Sequence, residues 1–442
     1  MAARLSTSQL ARVIPCSRPL LVATRPLSSS ASRPAPPKKI GGKNVLWGKK
    51  KGATGEEDAS AGGQGLGNVL DEVTLPAPDL SSLTVLQPET LTADAVGDVR
   101  AFSTATLATF KAVGIPPLLE KEFSFSRRPA TVVRGATLEA SSILDASKKS
   151  SSKDSRHVIT GPAGSGKSVL LLQTLAYAQA TGWVVLYLPS ATPALNSSTP
   201  HVYSSTQALF DQPALSLQLL SKFTAANKVA FKALRTRQEW TFGDRVVKAG
   251  TGLDELATKS VDEKSATSVL EALFDELAAQ KTHPVLLGID DSQALFATSS
   301  YVDPSYEAVE SFSLTVPRLL LEYISGVKAF TTGSVMIAPS LLSTRKSPAM
   351  TRFLGDEKST ASSAYTPVGT SFDTYTEILS GLKQLAVPPR LERKEAVGVV
   401  RMLQGWRGVR EIVSDQTFLE RYVATDGSPR HFRRSLEKSV EL

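Results

Sequence analysis

Between residues 157 and 338 the apolar positions fall in short continuous runs instead of alternating ones. The runs at 157–160 (HVIT), 183–189 (WVVLYLP), 284–291 (PVLLGIDD) and 333–338 (GSVMIA) read as strands buried on both faces. The segments between them carry helical spacing. Residues 169–182 (VLLLQTLAYAQATG) are apolar almost all round and predict a buried helix. A second helical region covers about 213–237. A third covers about 265–281, where Val269, Leu270, Leu273, Phe274 and Leu277 share one face, and 314–323 looks helical as well. Strand alternating with helix predicts an α/β fold, with a mostly parallel sheet flanked by helices.

Outside this block the pattern changes. Residues 71–144 mix short helical and extended pieces, and a Ser- and Lys-rich stretch at about 145–155 predicts a surface loop leading into the first core strand. Beyond about residue 379 helical segments dominate and predict a small C-terminal helical or winged-helix lid. Residues 34–68, rich in Pro, Gly and Lys, show no apolar period and predict an extension without a fold of its own. The resulting division is 1–33, 34–70, 71–378 and 379–442.

Charge matters through its placement. The formal charge is +8, but eleven of the fifty basic residues precede Glu56, leaving 39 basic against 42 acidic groups in the rest. The first 33 residues hold Arg4, Arg12, Arg18, Arg25 and Arg33, many Ser and no acid, the composition of a mitochondrial transit peptide. Pro15, Arg18 and Arg25 interrupt any apolar core of a secretory signal. Cleavage near 30–33 removes Cys16, the sole cysteine, so neither disulfide nor thiolate metal ligand is expected. No run approaches the roughly 20 apolar residues of a membrane span, which predicts no membrane partner. The four histidines show no ligand spacing. Trp47, within the basic tract, is a candidate for stacking on a base, against the alternative of a plain linker.

One motif carries chemistry. Gly161, Pro162, Ala163, Gly164, Ser165, Gly166, Lys167 and Ser168 fit G-x-x-x-x-G-K-[ST] between a predicted strand and a predicted helix. Glycines let the backbone wrap closely round phosphate, and the helix start adds its positive dipole end. Lys167 is placed to reach the β- and γ-phosphates, and the Ser168 hydroxyl to ligate magnesium. The strand at 284–291 ends in Asp290, a second candidate for the magnesium shell, and Asp291, a candidate for polarising water. The strand at 333–338 comes later and suggests an extra strand between the loop strand and the acid strand. Ser334 on it is a candidate γ-phosphate sensor. Arg430 is a candidate to reach nucleotide from the lid, though a solvated Arg at a helix start fits too. The fold expected is a P-loop NTPase of AAA+/STAND-like type. No Asn-Lys-x-Asp segment occurs, so the residues leave GTP, GDP and ATP open.

Several further blocks extend the motif: RRPATVVRGATLEA before it, FDQPALSLQLLSKFTAANK after it, then IDDSQALFATSSYVDPSYE and PRLLLEYISGVKAFTTGSVMIAPS. From about Arg127 to the C-terminus the chain resembles the death-associated protein 3 family of the mitochondrial ribosome. The resemblance implies a ribosomal protein of the small subunit that supports mitochondrial translation in the matrix. It implies a place in the head near the large-subunit contact, with small-subunit proteins and rRNA as partners and no DNA. It also implies GTP or GDP with magnesium in the pocket, and slow or absent hydrolysis. The competing expectation is a free mitochondrial AAA+-type ATPase of the chaperone or helicase-loader class. Such a ring needs an arginine acting across subunits, for which Arg318 and Arg345 are candidates.

Overall fold

The computed structural model describes residues 83–126, 128–205, 207–259, 261–341, 347–355, 370–406 and 413–437. The expected transit peptide, the basic extension with Trp47, the expected fold start at Asp71, and Arg345 lie outside the described residues. Five strands form the central sheet: β1 (Arg156–Thr160), β2 (Val184–Leu188), β3 (Val285–Asp290), β4 (Gly333–Ala338) and β5 (Lys383–Ala386). All run parallel in the order β5-β1-β4-β3-β2. β4 therefore separates the loop strand β1 from the acid strand β3, as the strand sequence suggested.

Side chains alternate across the sheet and feed two cores. Ile159, Val185, Tyr187, Leu286 and Met336 meet α1 (Thr104–Val113), α2 (Gly135–Ser147) and α3 (Lys167–Ala180). Val158, Leu186, Leu287, Ile289 and Val335 meet α4 (Pro213–Ala226), α5 (Ala266–Ala279) and α6 (Thr315–Ser325) on the opposite face. Every residue of α3 from Leu170 to Ala178 is buried, Gln173 and Thr174 included, which explains why the helix is apolar almost all round.

The helical region expected over about 213–237 is two helices, Pro213–Ala226 and Lys228–Ala233, broken at Asn227, whose side chain is needed elsewhere. Its amide oxygen accepts from Val185 N and its amide nitrogen donates to Val185 O, both at 2.8 Å. Asn227 thus pairs with β2 along an edge that would otherwise be open.

Three antiparallel pairs interrupt the strand–helix alternation: Val202–Ser204 with Leu209–Asp211, Trp240–Phe242 with Arg245–Val247, and Thr298–Val302 with Ala308–Glu310. A fourth pairs Val99–Ala101 with Ala130–Val132. The boundary at residue 378 also shifts, because β5 lies beyond it and belongs to the sheet. The lid is helical: α7 (Arg393–Gly405), α8 (Asp415–Ala424) and α9 (Pro429–Glu437), with no strand after β5 among the described residues.

Ala396, Val399, Val400, Leu403, Phe432 and Leu436 form the lid's own core, which reaches Val132 of the Val99–Ala101/Ala130–Val132 strand pair. The seam is tight. A Cβ on Gly398 would stand 2.2 Å from Gly97 O, and one on Gly97 would stand 2.7 Å from Lys394 O. Because the opposing atom at Gly398 is backbone, it cannot swing aside. Gly398→Val is expected to cost at least about 2 kcal/mol by overpacking, read as a lowered urea midpoint.

Candidate functional site

Parallel strands end along one edge, and the sequence puts its chemistry there. β1 runs into the 161–168 loop, whose last glycine precedes α3. Gly161, Gly164 and Gly166 take φ values of +144°, +82° and +101°, which Cβ-bearing residues rarely adopt. Pro162 and Ala163 are exposed on the crest, while Ser165 and Lys167 are buried. The Lys167 ammonium donates to Gly161 O at 2.8 Å and Pro162 O at 2.9 Å, so it is held across the loop. Burial lowers its pKa, and nearby Asp290 partly opposes this.

Asp290 closes β3 at 3% exposure. Its Oδ1 accepts from Asp291 N at 2.8 Å, and its buried Oδ2 has no hydrogen-bond partner among the described residues. Burial raises its pKa to about 6, against the opposing pull of the Ser168 hydroxyl, the Asp291 N–H and Lys167. An orphaned carboxylate oxygen beside a hydroxyl is a hard-oxygen donor pair of the kind magnesium takes. Ser168 and Asp290 therefore fit the ion expected of them.

Asp291 is committed differently. It sits in the left-handed region at φ 53°. Its Oδ2 accepts from Ser190 Oγ at 2.7 Å and Thr192 Oγ1 at 2.5 Å, and its Oδ1 accepts from Gln293 Nε2. With both oxygens engaged, Asp291 ties the segment after β2 to the end of β3. Gln293, which the sequence reading missed, extends the tie: its Oε1 accepts from Ser340 N at 2.7 Å, just past β4.

Ser334 requires correction. It is the second residue of β4, paired in register with Leu286 near the start of β3, so it lies at the far end of the sheet from the loop. Its Oγ bonds Ser155 O at 3.0 Å and Ser155 Oγ at 2.9 Å, a buried structural link. A phosphate sensor on β4 has to stand at its other end, near Ala338.

Arg430 does reach the loop. A Cβ on Gly164 would stand 2.8 Å from Arg430 Cβ and 3.1 Å from its Cδ, so the stem of this lid arginine lies directly on the 161–168 loop. Arg318 instead bonds Glu322 at 3.3 Å within its own helix.

Behind the loop is a small cleft of about 130 Å³, lined by Val132, Arg134, Gly166, Gln173, Leu391 and Met402 among others. The Gln173 amide donates to Thr131 Oγ1 at 2.7 Å and Val132 O at 2.8 Å, and it accepts from Thr137 Oγ1 at 2.7 Å. These polar groups satisfy one another and leave a largely apolar wall.

The sequence profile of the mitochondrial ribosomal death-associated protein 3 family matches residues 131–435, spanning the loop, the sheet and the lid. The chain belongs to this family. It is 27% identical over 268 residues to a protein of Neurospora crassa named small ribosomal subunit protein mS29. That match covers 60% of this chain and 56% of the relative. To the protein of the same name from Schizosaccharomyces pombe it is 26% identical over 319 residues, covering 71% of this chain and 65% of the relative. The chain thus spans less than two thirds of the length of either.

The raised Asp290 pKa sets a pH dependence. A carboxyl whose folded pKa lies above its unfolded value costs nothing below about pH 4, where both states are protonated. Its penalty grows as pH rises from about 4 to about 6. Asp290→Asn should therefore stabilise the nucleotide-free protein at pH 7.5 by up to about 3 kcal/mol, a gain that vanishes below about pH 4. Thermal melts across that range check it.

Proposed function

We propose that this protein is a structural component of the small subunit of the mitochondrial ribosome and carries a guanine nucleotide with magnesium at the 161–168 loop. The family match carries the ribosomal part, since it runs unbroken through sheet, loop and lid. The relatives' names supply the particle, and the basic, acid-free N-terminus suits import into the matrix. Small-subunit proteins, rRNA and the large-subunit contact are the partners this reading expects. Beyond its basic N-terminus the chain is slightly acidic, which suits protein neighbours more than a broad RNA face.

The nucleotide part rests on the loop. Its positive-φ glycines and the start of α3 make an anion-binding turn, and Lys167 can exchange two carbonyl oxygens for phosphate oxygens. Ser168 and Asp290 would hold magnesium, which neutralises phosphate charge when bound. Arg430 would face the phosphates from the lid. The small apolar cleft behind the loop has the polarity to take part of a purine ring. The guanine preference comes from the family resemblance alone.

The engagement of Asp291 by three donors and of Arg318 by Glu322 supports holding nucleotide over cycling it, and weighs against the free ring ATPase. On a magnesium-containing sucrose gradient of mitochondrial lysate, the wild-type protein should co-migrate with small-subunit rRNA and Lys167→Ala should leave that peak. Migration of the wild type as a free oligomer would sink the ribosomal reading. The purified protein should turn over GTP more slowly than about 1 s⁻¹, and a faster multiple-turnover rate would restore the ATPase alternative.

A further inference from the structure

Arg134 joins three segments that are remote in sequence. Its Nη1 donates to Ser165 O in the loop at 2.7 Å. Its Nη2 donates to Pro388 O at 3.1 Å and Arg390 O at 3.2 Å, in the link from β5 to α7. Its Nε donates to Glu395 Oε2 on α7 at 3.0 Å. Glu395 is buried at 3% exposure and Arg134 is largely covered at 12%. Glu395 is itself shared: its Oε1 accepts from Gly135 N at 3.2 Å where α2 begins, and its Oε2 from Glu392 N at 3.1 Å where α7 begins.

A peptide group is planar, and in the trans form its C=O and N–H point in opposite directions. Arg134 holds Ser165 O, so it also fixes the direction of the Gly166 N–H, which points away from the guanidinium. Gly166 is the glycine before Lys167, where an anion-binding loop needs an inward donor. The same guanidinium is anchored to the lid through a buried carboxylate, and losing either partner of a buried pair strands the other's charge. Loop conformation and lid docking therefore share one set of bonds.

We propose that the Arg134–Glu395 pair is a positioning element that presets the loop for polyphosphate and couples phosphate binding to the docking of α7. By reciprocity, whatever tightens one tightens the other. The proposal rests on the nucleotide reading above. It goes beyond it in assigning to residues outside the motif a role in affinity and in lid order.

The test uses the full chain, with the fluorescent nucleotide mant-GDP and magnesium as probe and amide hydrogen exchange as second readout. Glu395→Gln removes the charge on the lid side. Arg134→Lys keeps a cation near Glu395 but is too short to span to Ser165 O as well, so it separates the brace from simple charge pairing. Each variant should bind mant-GDP about tenfold more weakly or worse, with far-UV circular dichroism unchanged. Exchange at 161–168 should quicken in the nucleotide-free variants. Nucleotide should slow exchange across 393–405 in the wild type and not in the variants. A lowered melting temperature with unchanged affinity and unchanged loop exchange would overturn the proposal and leave the pair a fold contact only. If the wild type binds no mant-GDP, the nucleotide reading falls. The presetting claim is then judged on the nucleotide-free exchange at 161–168, where equal rates in variant and wild type overturn it.

Discussion

A parallel sheet buried on both faces places every strand's carboxyl end on one edge, and that constraint organises the rest of this molecule. β1 delivers the loop there, β3 delivers Asp290, and β4 between them sets their spacing. Strand pairing alone therefore brings residues 161–168 beside residue 290. The cost is an acidic side chain buried at 3% exposure, with one oxygen unpartnered among the described residues. A group left in that state raises its pKa and favours whatever cation can answer it.

The lid is held by two unlike seams. One is steric, where Gly97 and Gly398 let backbones meet without side chains between them. The other is electrostatic, where Arg134 and Glu395 thread loop, linker and helix starts together. The steric seam fixes how close α7 can come, and the ionic one fixes which peptide orientation the loop keeps. Both meet the wall of the cleft behind the loop: Arg134 lines it, and Gly398 packs against Val132, which lines it too.

The strands and helices nearest the loop were legible because burial on both faces leaves continuous apolar runs, as in 183–189 and 284–291. β5 was not legible. It is an edge strand of Lys, Gln, Leu and Ala with only Leu385 buried, and nothing in its sequence separates it from a loop. The motif announced its own residues, but their neighbours were hidden for different reasons. Ser334 was placed on the right strand and at the wrong end, because a run of apolar residues does not say which end meets the site. The hydroxyls of Ser190 and Thr192 that meet Asp291 are remote in sequence, so nothing near Asp291 in the chain shows this tie. The Arg134–Glu395 bond spans 261 positions and leaves no local pattern at either residue.

The central claim is that the loop holds a nucleotide as part of the structure. Its most direct test is to isolate mitochondrial small-subunit particles containing this chain, denature them, and identify the released nucleotide by mass spectrometry, quantified against the chain. The account predicts guanine nucleotide equimolar with the wild-type chain. Particles fully occupied by this protein yet free of nucleotide would contradict it.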